Sequence, residues 1–244
     1  MVIPYDEDLG VHCQAEGFTD HQVWDFDGTD ADQYPLLLHF PYFDLYRKQV
    51  VKQADLVLAM LLRGDAFSDE EKLRNFDYYD RITVRDSSLS ASTQAVMAAE
   101  VGHLDLAYDY FGEAALIDLD DLQHNTRDGL HTASLAGTWF AAVGGFGGVR
   151  HYDNMLSFKP RLPPALTRLC FGLVFRGRHL RVEVGRAQAT YSLRAGAALD
   201  ISHYGQQLTI APDQPMTGPI PPLPPREAPR QPAGRAPARR RQMR

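Results

Sequence analysis

Three polar clusters stand among apolar residues at helical spacing: Lys52-Gln53-Ala54-Asp55, Asp86-Ser87-Ser88-Leu89-Ser90, and the run from Asp128 to Trp139 that holds His131, Thr132, Ser134 and Thr138. Lysine offers a compact positive charge, hydroxyls and an imidazole offer hydrogen-bond donors, and the free amides at a helix start carry partial positive charge. Brought together, such groups hold an anion or a polyhydroxylated ring. The chemistry to expect is capture of a phosphate-bearing or sugar ligand. Taken singly, the same residues read more plainly. Lys52 would snorkel from an apolar helix, His131 and Ser90 would cap helices, and Asp118, Asp120 and Asp121 would form a solvated turn.

The elements that must position these groups follow from periodicity and punctuation. Apolar residues at helical spacing run from Val50 to Arg63 and stop at Gly64. Ser68-Asp69-Glu70-Glu71 is a capping box, which opens a helix through about Tyr79. Further helices are predicted from Ser90 to Val101 with Gly102 as terminator, from Leu104 to Ala115, and from His131 to Val143. The run Gly144 to Gly148 lacks the Lys-Ser/Thr of a P-loop and reads as a place of close helix packing. Upstream, Phe18, Trp24, Phe26, Phe40, Tyr42 and Tyr46, broken by Pro35 and Pro41, suggest a packed irregular segment. Beyond residue 150 the period changes to two: Phe171 to Phe175, His179 to Val184, Ala189 to Arg194 and Gln207 to Ile210 read as antiparallel strands. The fold class is α+β, a helical array followed by a small β unit. Five helices are too few for a closed helical toroid, so the chain reads as a fragment of one.

Composition narrows the classes. At 244 residues, 44% hydrophobic and 23% charged, the chain is of ordinary globular make-up, with no stretch long enough to span a bilayer and no apolar signal core at its start. A cytoplasmic location with no membrane partner is expected. Cys13 and Cys170 have neither metal nor disulfide-framework spacing, so reduced thiols and no metal are expected. The net charge of -6 is uneven: from Pro212 onward seven arginines oppose only Asp213 and Glu227. The acidic body argues against nucleic acid as a partner. The proline- and arginine-rich stretch over 212-244 reads as a disordered tail.

The ordered series Lys52-Gln53-Ala54-Asp55, Asn75-Phe76-Asp77-Tyr78-Tyr79, Asp86-Ser87-Ser88-Leu89-Ser90, Asp128-Gly129-Leu130-His131, Ala136-Gly137-Thr138-Trp139 and Gly145-Phe146-Gly147-Gly148 resembles glycoside hydrolase family 65. That family includes maltose, trehalose, kojibiose and nigerose phosphorylases and the acid trehalases. The resemblance covers the chain from Met1 to about Ile210. It implies the second half of an (α/α)6 barrel catalytic domain over 1-150, followed by a small antiparallel β-sandwich domain over 151-211.

The resemblance also implies a reaction. An inverting phosphorylase needs one Glu to protonate the glycosidic oxygen, while inorganic phosphate attacks the anomeric carbon from the opposite face, as water does in an inverting hydrolase. Lys52 and Gln53 match the substrate-binding pair, and Ser87, Ser88, His131 and Ser134 match the polar positions around phosphate and the sugar. Phosphate is then a co-substrate, an α-linked glucose disaccharide is the partner, and no cofactor is implied. The family's Gly-Pro-Asp-Glu-Tyr-like motif is absent from the sequence. The general acid is therefore expected upstream of Met1, no residue of the chain is assigned that role, and the chain alone is expected to be inactive. Arg85 stands where many relatives have His, and a homodimer of the full-length protein is implied. The alternative is a catalytically inactive remnant or a partner-dependent carbohydrate-binding module.

Overall fold

The computed structural model describes residues 3-242. The entry segment is built of short pieces. β1 (Tyr5–Asp6) pairs antiparallel with β2 (Val11–His12), and β3 (Gln22–Val23) pairs in parallel with a later strand. The single-turn helices α1 (Leu36–His39) and α2 (Tyr42–Leu45) each start directly after a proline. β4 (Lys48–Gln49) then closes on β3.

Five helices follow: α3 (Asp55–Leu62), α4 (Asp69–Ile82), α5 (Ser90–Val101), α6 (Leu104–Leu116) and α7 (Thr132–Phe140), the last continuing into a π-helical turn over Ala141–Phe146. α3 begins five residues later than Val50 because Val51 is taken by an extended bridge: its amide donates to the Ile82 carbonyl and its carbonyl accepts from Val84. Backbone pairing here overrides helical periodicity. Ser90 is not a cap. Leu89 occupies that position, and Ser90 is the first helical residue, with a buried hydroxyl that has no partner among the described residues.

α5 packs against α3, α4, α6, α7 and the π-helical turn. It can be enclosed because Ala91, Ala95, Ala98 and Ala99 let neighbouring backbones approach. Gly145 completes this contact, since a Cβ there would lie 3.3 Å from Val96 Cα. The glycine run does serve helix packing. α4 starts at the expected capping box: Ser68 Oγ accepts from Glu71 N at 3.2 Å, and Glu71 Oε2 accepts from Ser68 N at 2.7 Å. Ser68→Ala removes one of these partners and is expected to lower stability by about 1 kcal/mol, measured by urea denaturation.

The β unit begins at Val149, and its strands are β5 (Val149–Tyr152), β6 (Met155–Phe158), β7 (Leu169–Phe175), β8 (Arg178–Val184), β9 (Gln188–Ala195), β10 (Leu199–His203), β11 (Gln206–Ile210) and β12 (Met216–Pro219). They form two four-stranded sheets, ordered β11-β10-β6-β5 and β12-β9-β8-β7. Inward residues of both, among them Phe158, Ile201 and Ile210 from one and Val182, Val184 and Tyr191 from the other, make one buried core. The sheets are mostly antiparallel as expected. The exception is β6 with β10, which pair in parallel. A cavity of about 210 Å³ lies at the seam with the helices, lined by Lys72, Glu100, Arg150, Tyr152, Lys159 and Arg161 among others.

Of the stretch over 212-244 that composition reads as a disordered tail, the structure describes residues as far as 242, and residues 243-244 lie outside the described ones. After β12 the chain returns across the helices, and a last helix, α8 (Ala238–Gln242), packs on α6. Ala228 joins the helical core, Gln231 Nε2 donates to Asp80 Oδ2 at 2.6 Å, and Arg240 Nε donates to Asp109 Oδ2 at 2.5 Å. The arginines of this segment find carboxylates that local sequence does not reveal, Asp86 in the loop before α5 and Asp109 on α6. Both cysteines are free, Cys13 buried and Cys170 exposed. No helix among the described residues is long and apolar enough to cross a membrane.

Candidate functional site

Lys52 and Gln53 sit just ahead of α3, and Ser87 and Ser88 just ahead of α5. The two helices pack side by side, so their starts come together. Ser87 Oγ donates to Gln53 Oε1 at 2.9 Å, and Gln53 Nε2 reaches Asp55 Oδ1 at 3.3 Å. Lys52 is exposed and makes no ion pair among the described residues. Ser87 and Ser88 are partly exposed. A cavity of about 530 Å³ opens over Lys52 and Gln53, with Asp86 in its lining and an apolar wall of Phe18, Leu36, Leu37 and Leu45. Tyr42 and Tyr46 stand at it, exposed and stacked with ring centroids 5.8 Å apart. A smaller cavity of about 70 Å³, lined by Gln53, Ser90, Thr93 and Gln94, adjoins through Gln53.

Asp86 organises the loop that carries the serines. Its Oδ2 accepts from Leu36 N at 3.1 Å, and its Oδ1 is ion-paired with Arg235. Burial pushes its carboxyl above the usual range, with the Arg235 charge as the largest opposing influence. Arg85 turns away from this opening. It is buried, pairs with Glu113 Oε1 at 2.6 Å, and lies over the Tyr110 ring at 5.1 Å. Beneath the site, Asp80 accepts from Gln94 Nε2 at 2.9 Å and from Tyr110 OH at 2.7 Å. Burial pushes this carboxyl up as well.

Ser87 and Ser88 lie beside these two cavities without lining them, and His131 and Ser134 line neither. His131 lies at the start of α7, where Asp118 Oδ2 accepts its backbone amide at 2.9 Å and Asp118 Oδ1 contacts Nδ1 at 2.6 Å. With Nδ1 donating to the carboxylate, Nε2 is the ring nitrogen left for a ligand. Ser134 is fully buried, and its hydroxyl donates to the Ala114 carbonyl at 3.4 Å. In this arrangement it fastens α7 to α6, which takes it out of the group of ligand-facing residues. Asp118 is more than part of a solvated turn, since it orients His131.

The hydrogen bonds from His131 hold the Asp118 carboxyl below its usual value of 3.8. A lowered native value means that this stability contribution is present above the unfolded value and is lost as pH falls through the native one. Carboxyl-detected NMR should place the Asp118 midpoint below 3.8 in the wild type and return it to the ordinary range in His131→Ala. An unchanged midpoint in the variant would exclude the pairing.

A lysine, an amide and hydroxyls thus meet at two helix starts, beside a cavity edged by aromatic rings. Residues 1–140 match the glycosyl hydrolase family 65 central catalytic domain, and residues 149–210 match the family's C-terminal domain. The chain belongs to glycoside hydrolase family 65. It is 56% identical over 245 residues to an uncharacterised glycosyl hydrolase of Mycobacterium leprae, covering 98% of this chain and 30% of that protein. It is 44% identical over 217 residues to an alpha,alpha-trehalose phosphorylase of Geobacillus stearothermophilus, covering 88% of this chain and 28% of the relative. A solved structure of a putative kojibiose phosphorylase from the human microbiome superposes with a TM-score of 0.81 at 30% identity, over 90% of this chain and 30% of that one. The chain thus spans 28% to 30% of the length of these relatives.

The sequence points to Lys52, Gln53, Ser87, Ser88 and His131, but not to Asp86 as an organiser, Asp118 as a partner of His131, or Tyr42 and Tyr46 as a stacked pair. For the tyrosines a signal exists. They are four residues apart directly after Pro41, the spacing that aligns side chains on one helix face.

Proposed function

We propose that the chain is the C-terminal portion of a glycoside phosphorylase or hydrolase that acts with inversion on α-glucosides of the trehalose or maltose type. It supplies the second half of an (α/α)6 barrel and the phosphate- and sugar-holding side of the site, while the proton donor lies outside it. The observation that carries this reading is the Ser87 to Gln53 hydrogen bond of 2.9 Å, which joins the starts of α3 and α5 beside the open Lys52. An anion resting there meets one ammonium, the Ser88 hydroxyl, the Ser87 hydroxyl once it turns from Gln53, and the positive end of a twelve-residue helix. The cavity above offers Gln53 and Asp55 to sugar hydroxyls and the faces of Tyr42 and Tyr46 to the ring.

In the reaction, a phosphate oxygen forms a bond to the anomeric carbon while the bond from that carbon to the glycosidic oxygen breaks. The leaving oxygen takes a proton from the external glutamic acid, giving glucose 1-phosphate and the freed sugar. Lys52, Ser87 and Ser88 hold the nucleophile, and His131, steadied by Asp118, offers Nε2 to the phosphate or the sugar. The test is a calorimetric titration of the chain with inorganic phosphate. One saturable site is expected in the wild type, weakened about tenfold in Ser87→Ala and in Ser88→Ala, in line with the loss of one hydrogen bond to a charged group. Absence of binding, or binding by both variants equal to wild type, would refute this placement.

A further inference from the structure

The strap that crosses the helices beyond residue 210 is joined to the proposed phosphate site through Arg235. Its guanidinium pairs with Asp86 Oδ1 and donates from Nε to the Val84 carbonyl at 2.6 Å. In return, the Arg235 carbonyl accepts from Arg85 Nε at 3.0 Å. Residues 84 to 86 are thereby gripped on both flanks of Arg85, whose φ of 57° lies in the left-handed region that costs a side-chain-bearing residue energy. Such a backbone persists only where its surroundings over-determine it. The next two residues are Ser87 and Ser88. The other oxygen of Asp86 holds the Leu36 amide, at the start of the helix that forms one wall of the cavity.

Elsewhere the strap is fastened to the helices by contacts of its own. Gln231 bonds Asp80, the Ala238 amide donates to Glu113 Oε2 at 2.7 Å, and Arg240 pairs with Asp109. The match to the family's C-terminal domain ends at residue 210. An alignment that covers 98% of the chain takes in most of residues 211–244, so the mycobacterial relative has a stretch of chain aligned to this segment.

We infer that Arg235 is a positioning residue for phosphate: acting through Asp86, it sets the Ser87-Ser88 loop and the adjoining cavity wall, and makes the strap a part of the site. This rests on the reading of Ser87 and Ser88 as phosphate ligands. The test is the phosphate titration of the whole chain, with melting temperature read in parallel. Arg235→Gln is expected to weaken phosphate binding about tenfold, and Arg235→Lys, which keeps the charge but loses the two-pronged grip, about threefold. Arg240→Gln, which breaks the strap's pair with Asp109 away from Asp86, is expected to lower the melting temperature and leave phosphate affinity within twofold of wild type. If Arg235→Gln does not fold, Arg235→Lys carries the comparison. Wild-type binding with unchanged affinity in both Arg235 variants would overturn this inference and leave the phosphate site standing. Equal weakening by Arg240→Gln would also overturn it, by showing only loss of stability. A wild-type chain that binds no phosphate would overturn both readings together.

Discussion

Glu100→Ala is expected to destabilise the chain by about 3–5 kcal/mol, the cost of leaving buried charge without its partner. Glu100 sits in the last turn of α5, where its carboxylate accepts from Lys72 Nζ at 2.7 Å and is ion-paired with Arg150 of β5. The side chains of Lys72 and Arg150 are only 7% and 13% exposed, so water from the adjoining cavity only partly replaces the lost counter-charge. Burial pushes the Glu100 carboxyl up, but the two cations outweigh it and the net direction is down. The bridge therefore stays charged at neutral pH and ties α4, α5 and the first strand of the β unit together. Urea denaturation of wild type, Glu100→Ala and Glu100→Gln measures it. The glutamine variant should fall between the other two, because it retains an acceptor. A loss below about 1 kcal/mol in the alanine variant would place the bridge among weak surface pairs.

The second large effect concerns chemistry. Lys52→Ala is expected to lower phosphate-dependent turnover about a hundredfold to a thousandfold, the usual consequence of removing a donor from charge that develops in the transition state. The measurement needs a polypeptide that joins this chain to the upstream segment its relatives carry. The variant should retain the fold, since Lys52 is exposed and makes no ion pair among the described residues. Lys52→Arg should recover only part of the loss, because a planar fork does not replace a compact point charge. Turnover within threefold of wild type in Lys52→Ala would remove the lysine from the phosphate side of the site.

What can be read from the sequence is what is decided locally. The capping box at Ser68, the terminator Gly102 and the alternation of β8 and β9 are each settled within a few residues, and each is legible. The helix starts bearing Lys52, Gln53, Ser87 and His131 are legible as motifs, for the same reason. Their joining is not: Ser87 meets Gln53 across 34 residues, and only the packing of α3 on α5 brings that about. Longer separations hide more. Arg235 meets Asp86 across 149 residues, and the arginines of the strap, which read as a sign of disorder, are counterparts of Asp86 and Asp109. Ser134 misleads for a different reason. Its type and place fit a phosphate ligand, but one turn into α7 its side chain points at α6.

The division of labour between this chain and the upstream segment is tested by release of glucose 1-phosphate from trehalose and from maltose, followed against phosphate concentration for the chain alone and for the polypeptide that adds that segment. No release is expected from the chain alone, and from the longer polypeptide a release that saturates with phosphate and vanishes without it. Glucose 1-phosphate formed by the chain alone would contradict the placement of the proton donor, and sugar freed by the longer polypeptide at an unchanged rate without phosphate would contradict the role of phosphate and leave the hydrolase reading.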